Sequence, residues 1–343
     1  MKEEVLTFDL NEFLKKDKTI YQLSQAEEVG FYSINNKREL KFDKSELKEF
    51  VEPPLPIDLN PVKEEKIVES HIDNKFLVET IEKTLKDVES KVEFISYRNN
   101  LNKLMNSFYN KNDYKIILDP KDLGDNKKVI YFEIFEEEDQ EKNFSNNDWR
   151  NINYGFKFED LCTKDNAKEE KTEEGNDKNR ASFMSIVKRS IFGFGGEKKL
   201  LIAAEMDAIT ENKSKKNDNK RRNIENKKIY VELKTCKIGN NYSFNRFKLL
   251  SSWIQTFIVG VPLIIFGMRD DEGKINSFKR YPTNNIPSVA NKHKQLWNPQ
   301  ICISILYSVL DWISNQNLTT KCKYFLSYDS QKSIFTISPI SNN

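Results

Sequence analysis

Cysteine and histidine are scarce in this chain, at 4 and 2 among 343 residues. The cysteines (Cys162, Cys236, Cys302 and Cys322) are far apart and form no CxxC pair, which argues against a zinc site or a disulfide framework and fits a reducing compartment. A dominant charge is also missing. Lys and Arg number 55 against 53 Asp and Glu, a formal net charge of +2, so no global field announces a nucleic-acid partner and any attraction for phosphate must be local. Long apolar runs are absent too. The longest, Phe257 to Met268, is broken by Gly260 and Pro262 and reads as a helix end followed by a strand, so no membrane partner is expected. The opening MKEEVLTFDLNEFLKK is too charged for a signal peptide, and an intracellular protein is expected. Neither an internal repeat nor a strong domain boundary is visible. Residues 1–343 therefore read as one α+β domain around a twisted sheet.

What is present alternates irregularly between strands and helices. Glu28 to Asn35 is strand-like, and Pro53, Pro54, Pro56 and Pro61 make a stiff crossing segment. Apolar spacing predicts helices over Ile72–Leu85 and over Phe94–Phe108, the second carrying Tyr97 and Arg98. Tyr114–Leu118 and Val129–Phe135 read as adjacent strands. In NYGFKFEDLCT, Glu159 is expected near the start of a helix. ASFMSIVKRSIF, which contains Met184, resumes a strand or helix. FNRFKLLSSWIQTFIVG predicts a helix with Phe247, Leu250, Ile254 and Phe257 on its apolar side, Gln255 on its surface and Gly260 as C-cap. Ile301–Ser314 is apolar on more than one face and reads as a buried helix, and the tail as one or two strands. Residues 164–179 and 211–228 are charged and poor in apolar side chains, and are expected to be mobile loops.

The chemistry concentrates between Leu200 and Thr235. In LLIAAEMDAIT, Glu205 and Asp207 stand two apart, so on one strand both carboxylates share a face. In KIYVELKT, Glu232 and Lys234 do the same. Pairing the two strands would gather three carboxylates and one ammonium. Either tripeptide alone is more often a solvated strand face, but two of them, each inside an apolar strand, point to a site. Crowded carboxylates raise one another's pKa, and a hard divalent cation such as Mg²⁺ or Mn²⁺ would relieve the repulsion. This is the layout of a metal-dependent phosphodiesterase.

An arginine in a helix, then GFKFE, EMD, YVELKT and WIQTFIVGVP, in that order, resemble the DXO/Rai family of RNA 5′-end decapping nucleases. The similarity includes EVGFYS and WNPQICISILYSVLDWI and runs from about Glu28 to Ile313. The resemblance implies twisted mixed sheets flanked by helices, distantly similar to D-(E/D)-x-K nucleases. It implies Glu159, Glu205, Asp207, Glu232 and the backbone carbonyl of Leu233 as ligands of two Mg²⁺ or Mn²⁺ ions. Lys234 and Gln255 would position the attacking water and the phosphate, and Arg98 with Tyr97 would hold the RNA 5′ end, with Met184 near a position that touches substrate. The long basic linker between the metal strands and the charged insertion after Glu159 depart from the pattern and leave substrate preference open. Implied activities are decapping of incompletely capped RNA, release of pyrophosphate from 5′-triphosphate RNA and 5′–3′ degradation. The yeast nuclear branch also binds a nuclear 5′–3′ exoribonuclease, which makes that enzyme an expected partner and the nucleus the expected location. Two other readings stand beside this one: a DNA nuclease of the same motif, and a mainly non-catalytic stabilising partner.

Overall fold

The computed structural model describes residues 5–60, 74–125, 127–135, 146–164, 180–211 and 228–340. Two mixed sheets carry the site, as the resemblance implied. Four strands of the larger sheet and three of the smaller flank the sequence motifs: β1 (Glu27–Ile34), β2 (Phe94–Tyr97), β3 (Ser182–Gly193), β4 (Gly196–Glu205), then β5 (Ala208–Glu211), β6 (Lys228–Lys237) and β7 (Leu263–Arg269). The larger, 11-stranded sheet contains the order β2-β4-β3-β1, with β2 continuing into the hairpin Tyr114–Gly124 and Lys127–Ile134 and then the C-terminal strands Tyr324–Asp329 and Ile334–Pro339. The smaller, 7-stranded sheet contains β5-β6-β7 followed by Lys274–Pro282. The fold is α+β, with mixed sheets and flanking helices.

Period-2 alternation explains why these segments are strands. In β3, Phe183, Val187 and Ile191 enter the main core, whereas Met184 and Ile186 enter a second cluster on the opposite face. In β4, Leu200, Ile202 and Ala204 point to the main core and Leu201 and Ala203 to the second. In β6, Val231 and Leu233 join a third cluster on the outer face of the small sheet. The β3–β4 hairpin turns at Gly193–Gly196. Gly196 has φ +102°, and a Cβ on Gly193 would lie 2.6 Å from the rings of Tyr21 and Tyr307, so neither position admits a side chain without rearrangement.

Four helices matter for the site: α1 (Arg98–Asn106), α2 (Asn146–Cys162), α3 (Leu249–Phe257) and α4 (Pro299–Ser314). α4 packs into the main core with Ile305, Leu306, Val309, Leu310 and Ile313 fully buried, each such side chain contributing about 1.5–3 kcal/mol. That matches the all-round apolar pattern of its sequence. α1 and α3 bury Leu101, Leu104, Leu250 and Ile254 in the same core. Among the described residues, no helix is long and apolar enough to cross a membrane.

Several expectations need correction. Phe94–Phe108 is not one helix. Phe94 points to the main core while Ile95 and Tyr97 point to the second, an alternation that lets β2 pair in parallel with β4, and the helix begins only at Arg98. Glu159 lies in the last turn of the 17-residue α2 instead of at a helix start, because the helix begins upstream of the aromatic motif, at Asn146. ASFMSIVKRSIF resolves as strand. The helix expected at Ile72–Leu85 is seen from Asn74 and continues through a wider turn at Ile81–Leu85. Phe247 and Phe108 sit at helical spacing but are exposed, since each lies outside the buried stretch of its helix. Apart from their end residues, the expected loops at 164–179 and 211–228 lie outside the described residues.

Candidate active site

Glu205 and Asp207 do not share a strand. Glu205 is the last residue of β4, opposite Met184 on β3 in the large sheet. The chain then leaves that sheet, with the Met206 N–H donating to the Phe183 carbonyl at 3.0 Å, and enters the small sheet at Ala208, opposite Val231 on β6. The two acids meet the ELK motif because the sheets abut at this crossing. Asp207 Oδ2 accepts the Leu233 N–H at 2.6 Å, tying the crossing to the middle of β6. The single strand face expected for EMD is therefore wrong in geometry, although it brought the correct residues together.

Glu232 is the centre of the cleft, with only 4% of its side chain exposed. Its Oε1 accepts from Lys234 Nζ at 2.9 Å and from Gln255 Nε2 at 2.5 Å, while its Oε2 accepts from Arg98 Nη1 at 3.1 Å. Three elements supply these donors: β6 itself, α3 from the core side, and the first turn of α1. Arg98 can reach the acid because β2 ends at Tyr97, delivering the first helical residue beside the end of β4. Burial works against the charged form of Glu232, yet Lys234 and Arg98 outweigh it and hold the acid below the usual glutamate range.

The other three acids are pushed the opposite way. Burial, then the charges of Asp207 and Glu205, raise Glu159 well above the ordinary value. Burial and Glu232 raise Asp207 to about 8. Glu205 is open to solvent at the cleft but hemmed in by protein, and this poor solvation raises it even though Arg98 and Arg180 oppose the shift. Four carboxylates thus feel one another across the junction of the sheets.

Such a donor set suits a hard divalent cation. The candidate side-chain ligands are all carboxylate oxygens, the Leu233 carbonyl could add a neutral one, and the acids' mutual repulsion is what a cation would remove. Among the described residues no three acids close to the spacing of a single metal site. Glu232 instead engages Arg98, Lys234 and Gln255, while Glu159 meets Arg180, whose Nη2 is 3.5 Å from its Oε2. Arg98, Lys234 and Arg180 thus supply the positive charge beside these two acids.

Tyr97 and Met184 line the floor of this region and are buried, with relative exposures of 2% and 3%. The Tyr97 hydroxyl meets that of Tyr32 at 3.3 Å, and Tyr32 stands opposite Met184 on β1. Both predicted substrate contacts are therefore in the second core beneath the acids. Arg180, Asp160 and Lys48 were missed by sequence reasoning. Arg180 sits at the edge of a charged stretch, and no spacing rule connects Lys48 to a motif more than a hundred residues away.

Comparison with known proteins agrees with this geometry. The family model described as RAI1-like PD-(D/E)XK nuclease matches residues 24–343. The decapping nuclease din1 of Schizosaccharomyces pombe is 29% identical over 322 residues, covering 85% of this chain and 87% of that protein. The decapping nuclease RAI1 of Saccharomyces cerevisiae is 26% identical over 329 residues, covering 87% and 81%. In fold, the chain is similar to the crystal structure of S. pombe Rai1 in complex with 3′-FADP, with a TM-score of 0.76 at 24% identity over 98% of this chain and 100% of that one. Candida albicans Rai1 in complex with pU5-Mn²⁺ gives 0.74 at 21% identity over 98% and 93%. A match across nearly the whole chain, on a fold that joins the four acids at a sheet crossing, means that this protein belongs to the RAI1-like PD-(D/E)XK nuclease family.

Proposed function

We propose that the protein is a divalent-metal-dependent hydrolase of RNA 5′ ends. The observation that carries this reading is Glu232, gripped at once by Arg98, Lys234 and Gln255 and facing Glu159, Glu205 and Asp207. A site that only broke phosphodiesters would need the acids and a lysine; an arginine brought in from α1 adds a group suited to the extra charge of a 5′ end. The decapping nucleases among its relatives and the RNA and Mn²⁺ in the Candida albicans structure support the same reading.

Glu159, Glu205, Asp207, Glu232 and the Leu233 carbonyl would hold Mg²⁺ or Mn²⁺, as two ions shared among the four acids. When bound, such an ion would supply Lewis-acid stabilisation of phosphoryl oxygens and a lowered pKa for water. With Glu232 engaged by such an ion, the N–H groups of Lys234 and Gln255 would be free to orient the attacking water and the phosphate. Arg98, which shares that carboxylate, would pair with the 5′ phosphates. The buried Tyr97 and Met184 support this floor from below.

Decapping of incompletely capped RNA, pyrophosphate release and 5′–3′ degradation are all within reach of this chemistry; which occurs depends on how the 5′ end is seated. A panel of triphosphate, monophosphate, GpppN, methylated-cap and hydroxyl RNAs, run beside DNA of equal length with Mn²⁺, tests the proposal. Faster cleavage of phosphorylated or capped RNA is expected, and equal cleavage of DNA would overturn it. A nuclear 5′–3′ exoribonuclease is a proposed partner, testable by co-purification. Nuclear location is proposed from KSKKNDNKRR at 213–222, which pairs two basic clusters and lies outside the described residues. Unchanged nuclear accumulation after its deletion would count against that role.

A further inference from the structure

The open side of the carboxylate cluster carries cations that the roles above leave unused. Arg180, two residues before β3, makes a forked contact with Asp160: Nη1 to Oδ2 at 2.9 Å and Nη2 to Oδ1 at 2.8 Å. Its guanidinium also lies over the Phe156 ring, 4.5 Å from the centroid, and its Nη2 is 3.5 Å from Glu159. Lys48 approaches the same Asp160 from the segment before Glu49–Phe50, with Nζ 3.9 Å from Oδ1, longer than a hydrogen bond. Both cations are close enough to Glu205 to oppose its rise in pKa.

At this rim Asp160 meets both cations, and Arg180 also reaches Glu159. The fork to Asp160 uses two of the five guanidinium N–H groups, and the others are free to turn from Glu159 to a phosphate once that acid is engaged by metal. Arg98 meets the cluster from the Glu232 flank, whereas Arg180 meets it from the Glu159 flank. Cations therefore stand on two separate sides of the acids, more than one reacting 5′ phosphate group requires.

We propose that Arg180 and Lys48, oriented by Asp160 and Phe156, form a second phosphate clamp that holds a backbone phosphate of the RNA beyond its reacting 5′ end. This rests on the reading of the site as an RNA 5′-end hydrolase. Arg98 and Lys234 share Glu232 and serve the phosphate being cut; Arg180 and Lys48 share Asp160 and serve the strand as it leaves. A merely structural role would tie the end of α2 to the start of β3 and nothing else.

The two roles separate in binding and its salt dependence. The probe is a 5′-phosphorylated, fluorescein-labelled decanucleotide RNA, followed by anisotropy with Ca²⁺ and by hydrolysis with Mn²⁺. R180A should weaken binding about ten-fold, the loss of a charge-assisted fork, and K48A should weaken it less. The slope of log affinity against log salt should fall by about 0.7 for each single-strand phosphate that the variant no longer neutralises. In hydrolysis KM should rise with kcat within about two-fold, the pattern of lost uniform binding. The loss should be several-fold larger on the decanucleotide than on a 5′-phosphorylated dinucleotide. R180K, which keeps the charge but not the fork, should fall in between, and it carries the test if R180A does not fold. Wild-type affinity and slope in both R180A and K48A would overturn the clamp, as would an equal loss on the dinucleotide. A wild-type protein that binds the decanucleotide without cutting it would count against the hydrolase reading alone, because the clamp is judged from binding.

Discussion

Arg98 and Arg189 are both withdrawn from solvent. Arg98 directs Nη1 at the Glu232 carboxylate, 3.1 Å away, beside Gln255. Arg189 on β3 donates instead to main-chain carbonyls: Nη1 to Phe257 at 2.6 Å and Ile258 at 3.3 Å, and Nη2 to Ser24 at 2.6 Å. Its guanidinium also lies 5.5 Å from the Phe257 ring centroid. Burial pushes the Arg189 pKa down to about 10. At neutral pH the residue is still charged, and its cost is offset by the carbonyl dipoles at the helix end. The difference lies in what each cation faces. Arg98 faces a carboxylate, and in the proposed reading a metal on Glu232 would free it for phosphate. Arg189 has nothing to exchange, and it fixes the end of the helix that presents Gln255.

The strongest test of this contrast removes what Arg98 faces. Glu205→Ala with Asp207→Ala should lower hydrolysis of 5′-triphosphate RNA by more than about 1000-fold, because several kcal/mol of metal-derived stabilisation is lost. Melting temperature should hold or rise, since these acids repel their neighbours in the metal-free protein. EDTA should match the double variant on wild-type protein, and full activity in either case would defeat the metal reading. Arg189→Met comes next and should act on stability. It removes the guanidinium donor from the carbonyls of Phe257, Ile258 and Ser24, a loss on the order of 3 kcal/mol, seen as a lower denaturant midpoint at unchanged slope. A variant as stable as wild type would show that the helix end needs no such anchor.

Arg98→Lys should do the reverse. Losing one or two charge-assisted bonds at about 1.5–3 kcal/mol each should slow action on 5′-phosphorylated or capped RNA roughly 10- to 100-fold. Thermal melting should barely move. A large drop in melting temperature, or a full rate, would put Arg98 in the same class as Arg189. The smallest effect is expected at the floor of the cleft. Tyr32→Phe removes one hydroxyl from the 3.3 Å pairing with Tyr97 and should cost about 1 kcal/mol or less, with activity within a few-fold of wild type. A loss as large as that of Arg98→Lys would show that the tyrosine pair sets the position of Arg98.

Much of the site was legible because its residues fall in short motifs with fixed chemistry. GFKFE, EMD, ELK and WIQ each occupy a short stretch of chain, so Glu159, Glu205, Asp207, Glu232, Lys234 and Gln255 could be named before any contact was known. The apolar period of Ile301–Ser314 likewise determined a buried helix, since burial on all sides leaves no polar stripe. The strand-forming FISY preceding Arg98 misled, because four strand residues that run on into a helix mimic helical spacing.

The sequence by itself thus determined that Glu205, Asp207, Glu232 and Lys234 gather and what class of ion would suit them. Only the tertiary structure decided how they gather. Whether EMD lies on one strand or crosses between two sheets depends on pairings with Met184 and Val231, which are distant in sequence. The same holds for Asp160, which draws together Arg180 and Lys48 from separate segments. Local propensity acts over a few residues, whereas electrostatic pairing acts over a few ångströms, and the fold alone converts one distance into the other.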